Sequence, residues 1–477
     1  MRQLIHMSIR NLLKNLKKRL VRRSAKSGDQ HTEKSPSLPQ GAKAPSDQQP
    51  RTKSEIPKAA PTATTAKPPV ALSLIPVVIG LDFGTFSTKV VARRRNEREA
   101  TVLCLDEPCP GYPCFTVPSL VRVVQGKVFF GKHAACGDGG HLFRSLKVSL
   151  LTGSFPPTDV GLRPDELVAL YLAWLLRRVE QWLTREYGAN RTNVFVNAAA
   201  PMNHYEEPAL RKRYLRIINA AWNAGLGQRS IEVEQGASLS ALRPWLDEWM
   251  DHRTRIEPIE TRRFEVLPET VAPIVSLSRD PHMSAGMYLI VDMGAGTTEF
   301  SVNHAAEPGG NHGILCYYDQ SVLLGAEQFQ SPPPGESEES LTRNLLKEMC
   351  KTWGRGYTKD SNSHAARHRW KELTVLLAGG GTSRPELRDK IAKHRNAVMY
   401  AFQGLDCRYS VKTHFPRELD FRAAEPERNA NGFLLSVAHG LSYPKRTWPD
   451  FVEPHDVTQM TGTPRAGSPD LPWFDVG

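Results

Sequence analysis

One pattern occurs twice in the chain and restricts its possible folds more than any other feature. Val77-Val78-Ile79-Gly80-Leu81-Asp82-Phe83-Gly84-Thr85-Phe86-Ser87-Thr88 is an apolar run that ends in a carboxylate, a glycine turn and hydroxyls. Tyr288-Leu289-Ile290-Val291-Asp292-Met293-Gly294-Ala295-Gly296-Thr297-Thr298-Glu299 repeats that order, with Asp292 standing 210 positions after Asp82. Apolar runs of this kind read as buried strands, small residues let backbone N–H groups turn outward, and the Thr hydroxyls follow where a phosphate oxygen would lie. A single Asp-x-Gly turn is ordinarily a hairpin and nothing more. Two copies with one logic imply two similar lobes closing their turns on one triphosphate.

At 477 residues the chain has room for two or three domain-sized units, and 40% hydrophobic content is ample for a sizeable core. The net charge of +12 suggests a polyanion partner until it is divided along the chain. Residues 1–76 hold fifteen Lys/Arg against four Asp/Glu, so the remainder is close to neutral and no specific nucleic acid is expected. Within Met1–Leu20, apolar residues recur at helical spacing against a basic face. Residues 1–26 read either as a solvated basic arm or as a contact for an anionic membrane surface or partner. The head lacks the unbroken apolar core of a signal peptide, and no later stretch is long enough to span a bilayer, which predicts a cytoplasmic protein with peripheral membrane contact at most. Seven Cys is an odd count for a disulfide framework and agrees with a reducing compartment. Cys104, Cys109 and Cys114, with His133 and Cys136 downstream, lack the close pairing of structural zinc sites and read as a loop with free thiols.

Residues 24–76 are rich in Pro, Ser, Thr, Ala, Lys and Gln and nearly free of aromatics, which predicts a tether, with order resuming near Val77. Val117–Val124 and Lys127–Phe130 flank Gln125-Gly126 as a hairpin. Pro164–Glu186 is a long amphipathic helix closed by Gly188, its Trp stripe facing the core. A strand at Asn193–Val196, a helix over Glu206–Ala224, a strand at Ile231–Val233 and a helix from Ser238 alternate as in an α/β fold. Residues 251–286 read as an irregular, charged insertion, and Ser331–Ser340 as an exposed loop. A helix near Leu341–Trp353 and a strand at Leu373–Ala378 lead into Gly379-Gly380-Gly381-Thr382-Ser383, with Ser383 and Glu386 matching a capping box for a helix continuing to about Lys393. A glycine turn at a helix start suits a nucleotide. Neither a Walker-type loop nor a G-x-G-x-x-G after a strand is present.

With three glycine elements in this order, residues 77–447 resemble the actin-like ATPase superfamily, and within it the nucleotide-binding domain of the heat-shock protein 70 family. Phe143-Arg144-Ser145-Leu146-Lys147, Pro164-Asp165-Glu166-Leu167, Leu324-Gly325-Ala326-Glu327-Gln328-Phe329 and Val375-Leu376-Leu377-Ala378-Gly379-Gly380-Gly381-Thr382 carry the chaperone branch of that likeness. The resemblance implies an α/β, two-lobed fold with a nucleotide cleft between the lobes. Lobe I would take 77–285 and 425–447 and lobe II 286–424, leaving 448–477 as a Pro-rich tail. It implies that Gly84, Thr85, Phe86 and Ser87 in the first turn, Gly294, Ala295, Gly296 and Thr297 in the second, and Gly379, Gly380, Gly381, Thr382 and Ser383 in the third hold ATP. Asp82 and Asp292 would hold hydrated Mg²⁺, with Lys147, Glu234, Asp292, Thr297 and Glu299 as the catalytic set. The implied activity is ATP hydrolysis that opens and closes the lobes on a protein partner, ATP and ADP being the ligands. Three departures qualify it: Gln235 stands where the family has proline, the chain between Phe329 and Leu373 is short, and nothing after Tyr443 is large enough for a peptide-binding domain. A nucleotide-sensing scaffold with little turnover is the alternative, and an actin-like filament or a small-molecule kinase stands behind it.

Overall fold

In the computed structural model the described residues are 75–152, 160–188, 193–201, 207–226, 233–251, 256, 263–305, 313–360, 370, 372–394, 408–449, 451–452, 454 and 456. The basic head and nearly all of the tether, the start of the strand expected at Ile231, and the tail beyond Asp456 lie outside them.

β1 (Val77–Phe83) is buried at every position, as an unbroken apolar run with neighbours on both faces requires. It turns into the antiparallel β2 (Ser87–Arg94) in a register that sets Asp82 opposite Lys89 and Phe83 opposite Thr88. β3 (Ala100–Val102) and β4 (Thr116–Pro118) both pair with β2. β5 (Val121–Val124) and β6 (Lys127–Phe130) form the expected hairpin, Gln125 and Gly126 taking the positive φ angles of 49° and 73° that a two-residue turn between twisted strands demands. β7 (His141–Phe143) precedes α1 (Leu146–Thr152) and α2 (Pro164–Tyr187).

α2 starts where Pro164 supplies a preset φ and the Glu166 carboxylate accepts from the Arg163 backbone N–H at 2.7 Å, and it stops at Gly188, which is left-handed with φ 57°. Its Trp stripe is core, as expected: Trp174 stacks on Phe130 with ring centroids 5.4 Å apart. β8 (Val194–Ala200), α3 (Pro208–Gly225), β9 (Ala237–Ser238) and α4 (Leu239–Met250) follow. The stretch expected to be an irregular insertion contains β10 (Phe264–Pro268), parallel to β8, and α5 (Ala272–Leu277).

The second half opens with β11 (Gly286–Met293) and β12 (Thr298–Ala305), paired so that Asp292 faces Glu299 and Met293 faces Thr298. β13 (Ile314–Val322), α6 (Glu338–Asp360), β14 (Glu372–Ala378), α7 (Pro385–Lys393) and β15 (Arg408–Thr413) complete it. One sheet runs β10-β8-β1-β2-β3 and the other β15-β14-β11-β12-β13, with the same parallel and antiparallel neighbours in the same places. The repeated sequence pattern is thus the visible part of a repeated five-strand unit in a mixed α/β fold.

Both expected boundaries move. β16 (Leu419–Asp420) lies beside β3, so the chain has rejoined the first sheet before residue 425. β17 (Phe451–Val452) pairs with β13, so residues assigned to the tail belong to the second sheet. α6 also begins inside the expected 331–340 loop.

α8 (Ser436–Leu441) lies on β1 so closely that a Cβ on Gly80 would come within 2.0 Å of the Ala438 carbonyl oxygen, and only glycine permits this approach. A buried polar chain ties α8 to α5, to β2 and to the end of β15. The Ser276 hydroxyl stands 2.7 Å from both His439 Nδ1 and His414 Nε2, and His439 Nε2 is 2.9 Å from Arg93 Nη2. Arginine only donates, so His439 Nε2 accepts, its Nδ1–H donates to Ser276 Oγ, and that hydroxyl donates to His414. Both imidazoles are therefore neutral. Burial drives His414 down to about 4 and, with the nearby Arg93 charge, His439 well below its ordinary value.

Candidate functional site

The turns after β1 and β11 face each other across a cleft lined by Asp82, Gly84, Thr85, Lys89, Lys147, Glu269, Asp292, Gly294, Thr297, Glu299, Gly379, Gly380, Leu434 and Val437. Each half presents the C-terminal end of its first strand, where the chain must turn and backbone N–H groups leave the ladder. The second turn is closed by the Gly294 N–H donating to the Thr297 carbonyl at 2.8 Å, and it is held from behind by Ala326 and Glu327 N–H groups donating to Gly294 and Ala295 carbonyls at 2.9 Å. The turns touch: a Cβ on Gly296 would lie 2.7 Å from Val148 Cγ2 and 3.1 Å from Thr85 Cγ2. The third glycine element closes in equally tightly. Gly379 has φ 74°, and a Cβ there would meet Asp292 Oδ1 at 2.3 Å.

Of the expected residues, Asp82, Gly84, Thr85, Lys147, Asp292, Gly294, Thr297, Glu299, Gly379 and Gly380 line the cleft. Gly296 faces Thr85 where the turns meet, and the Ala295 carbonyl is held by the Glu327 N–H at 2.9 Å. Phe86 is exposed and stacks on Tyr112 at 4.4 Å, while Ser87 is buried in β2. Thr382 turns inward, its hydroxyl donating to the Ala378 and Gly379 carbonyls. Ser383 does not cap a helix. Its hydroxyl donates to the Gly380 carbonyl at 2.8 Å, Gly380–Ser383 is a 3₁₀ turn, and α7 begins after Arg384.

Glu234 is the main correction, because it is exposed and does not line the cleft. Its segment is fastened to the small β7-β5-β6-β9 sheet, the Gly236 N–H donating to the Val128 carbonyl at 2.8 Å and the Gln235 side chain bonding both ways to the Phe130 backbone. Besides Glu299, the glutamate that enters the cleft is Glu269, directly after β10, and it pairs with the buried Lys147 ammonium. Burial works against that ammonium, but Glu269 and then Tyr214 and Glu299 outweigh it, so its pKa is raised. Lys147 is thus a fully enclosed cation and not a solvated helix-end side chain.

Lys89 is a second cation of the cleft, one that the sequence reading passes over. It reaches from β2 to Asp82 Oδ2 at 3.0 Å, with both groups largely enclosed. Among the described residues these two ion pairs leave Asp292 and Glu299 with no salt bridge of their own. Burial, then Glu269 and Asp82, lifts Asp292 to about 7. Burial and Glu269 lift Glu299 to about 8, although the Ser321 hydroxyl donates to its Oε1 at 2.6 Å. Glu299 Oε2 is buried with no hydrogen-bond partner. Unsatisfied carboxylate oxygen of this kind is what a divalent cation satisfies. Among the described residues no three His, Cys, Asp or Glu side chains converge to ligate one ion directly.

The Cys104, Cys109, Cys114 and Cys136 thiols are in no disulfide. Among the described residues no helix is long and apolar enough to cross a membrane. Compared with known proteins, the chain matches no family model and no curated protein.

Proposed function

We propose that the chain is a two-lobed, actin-like ATPase of the chaperone type that binds Mg-ATP between its repeated turns and hydrolyses it. The observation that carries this reading is the duplication: two five-strand units of identical order point equivalent glycine turns at one cleft lined by carboxylates and enclosed lysines. Phosphoryl transfer requires little covalent chemistry from a protein, mainly positioning and neutralisation of charge. Backbone N–H groups of Gly84 and Thr85 in the first turn and of Ala295 and Gly296 in the second would cradle phosphate oxygens, with the Thr85 and Thr297 hydroxyls beside them. Asp292 and Glu299 would hold hydrated Mg²⁺, which when bound neutralises phosphate charge. Lys147, kept protonated by Glu269, would face charge developing on the γ-phosphate. Glu269 would also orient an attacking water.

As described, the space between the turns is about 30 Å³, room for water and not for a triphosphate. Binding therefore requires the two halves to part and reclose, the motion by which such an enzyme would act on a protein partner. The same tightness favours the second reading, a nucleotide-sensing scaffold with little turnover. Mg-ATP should raise the melting temperature because a ligand of the native state alone stabilises it by mass action, and EDTA should remove most of the gain. No shift at millimolar nucleotide would overturn both readings, and a shift without phosphate release would favour the scaffold.

A further inference from the structure

We propose that a cavity at the far ends of the first sheet's strands is the docking site for the chain's own Asp470–Asp475 segment. The proposal stands apart from the nucleotide reading. The cavity, about 270 Å³, opens where β1, β8 and β10 begin, at the opposite strand ends from the phosphate turns. Phe264 is buried in its wall, while Phe195 is one of only four large apolar side chains exposed among the described residues. The rim is cationic, with Arg95, Arg263, Lys445 and Arg446 against the single acid Glu265, which Lys445 pairs at 3.0 Å.

A ligand that suits this site must satisfy two demands together. A bare inorganic anion would leave the Phe195 ring uncovered, and an apolar ligand would strip water from guanidinium groups and return nothing. The volume is just under the roughly 300–1,000 Å³ of ordinary small-molecule sites and suits an aromatic side chain whose acidic neighbours lie on the rim. Asp470-Leu471-Pro472-Trp473-Phe474-Asp475 has that composition: adjacent aromatics, an aspartate on either side and no Lys or Arg.

The chain's length allows the contact. Asp456 lies ten residues beyond Arg446, at most about 35 Å away, and the seventeen steps from Asp456 to Trp473 reach about 55 Å when extended. Tethering of this kind raises effective concentration to the millimolar range, so a weak contact suffices. The wall is also held in place. Asn197 Nδ2 donates to the Leu441 and Tyr443 carbonyls at 2.8 and 3.1 Å, fixing the turn that carries Pro444, Lys445 and Arg446. A preformed wall lowers the ordering penalty of docking.

The test uses the full chain and a labelled peptide of residues 468–477. Replacing Trp473→Ala with Phe474→Ala should vacate the cavity without touching the folded core, so the peptide should bind that variant roughly tenfold or more tighter than wild type. Adding Arg95→Glu or Arg446→Glu, both at exposed positions, should weaken binding about tenfold, with lysine at either position restoring most of it. Hydrogen exchange in residues 194–197 and 444–448 should quicken in the Trp473→Ala/Phe474→Ala chain. Equal peptide binding to wild type and that variant, or indifference to both charge reversals, would overturn the proposal. Protection of the same residues by inorganic phosphate with no response to the tail variant would give the cavity to a small anion instead.

Discussion

The two glycine turns share a scaffold and differ in charge at a single cross-strand position. In the first, Asp82 lies opposite Lys89 and the pair is closed at 3.0 Å. In the second, Asp292 lies opposite Glu299, and the two carboxylates are buried side by side with raised pKa values. Opposite charges attract in the first pair and like charges repel in the second, more strongly inside the protein than in water. The difference assigns different tasks to equal backbones. On the proposed function, the first half arrives neutralised by its own ion pair and would offer an ammonium to an anion, whereas the second half would be completed by a cation. A duplicated fold can in this way be asymmetric in chemistry while remaining symmetric in topology.

The most severe way to break that comparison is to prevent the turns from sharing a ligand. Gly296→Val would place a branched side chain where even a Cβ would crowd Val148 and Thr85. The Mg-ATP-dependent rise in melting temperature should vanish, measured beside circular dichroism to show that the fold persists. Retention of the full shift would mean that the turns do not meet on the nucleotide.

Lys147→Ala comes next. Loss of an electrostatic stabiliser should slow single-turnover hydrolysis by on the order of a hundredfold, with a much smaller change in ATP affinity. Because Glu269 would be left buried and unpaired, the fold should also lose about 3–5 kcal/mol. Lys147→Met combined with Glu269→Gln should recover much of that stability and none of the rate. Full rate in the single variant would move the function to the scaffold reading.

The asymmetry itself is sharpened by exchanging charge one turn at a time. Lys89→Met should weaken nucleotide binding about tenfold whether or not Mg²⁺ is present, since it removes one enclosed cation. Glu299→Gln should weaken the Mg²⁺ dependence and leave metal-free binding nearly unchanged. Isothermal titration in EDTA and in Mg²⁺ separates the two, and identical behaviour of both variants would dissolve the proposed division of labour.

The acidic second turn and the neutral histidine chain also predict opposite pH responses. Asp292 and Glu299 have folded values near 7 and 8, above those of the unfolded chain, so their stabilising contribution is present at low pH and lost as pH rises through 7 to 8. His414 and His439 are depressed, so their contribution is complete above about 6.5 and is lost as pH falls toward 4. Nucleotide-free protein should therefore gain stability from pH 8.5 to about 6.5 and then level off, as followed by urea denaturation. Glu299→Gln should flatten the alkaline limb and expose the acid loss. A profile unmoved by that substitution would remove the charge contrast.

How much of this was legible in the sequence follows from which interactions are local. β1 and β11 announce themselves because both faces are buried and the apolar run is unbroken. The long helix α2 carries its own start and stop in Pro164 and Gly188. β10 is hidden: Phe264-Glu265-Val266-Leu267-Pro268 is short, includes a charge and a proline, and is stabilised by a parallel partner, β8, far back in the chain. Glu269 is hidden with it, and the family resemblance points instead to the exposed Glu234, next to Gln235. Lys89 was readable by counting: a four-residue turn with Phe83 opposite Thr88 necessarily sets position 89 opposite Asp82.

The smallest expected effect separates the two glutamates. Glu234 is exposed on a segment bound to β6, and exposed substitutions away from packed features change stability by at most about 0.5 kcal/mol. Glu234→Gln should therefore leave melting temperature, ATP affinity and the hydrolysis rate within error of wild type. Glu269→Gln, which keeps the side-chain shape but removes the charge partner of Lys147, should slow hydrolysis by at least tenfold. Phosphate release under single-turnover conditions, run on both variants side by side, decides between them. A slow Glu234 variant beside a normal Glu269 variant would give the water-orienting role to the small sheet and place the reacting phosphate away from the two turns.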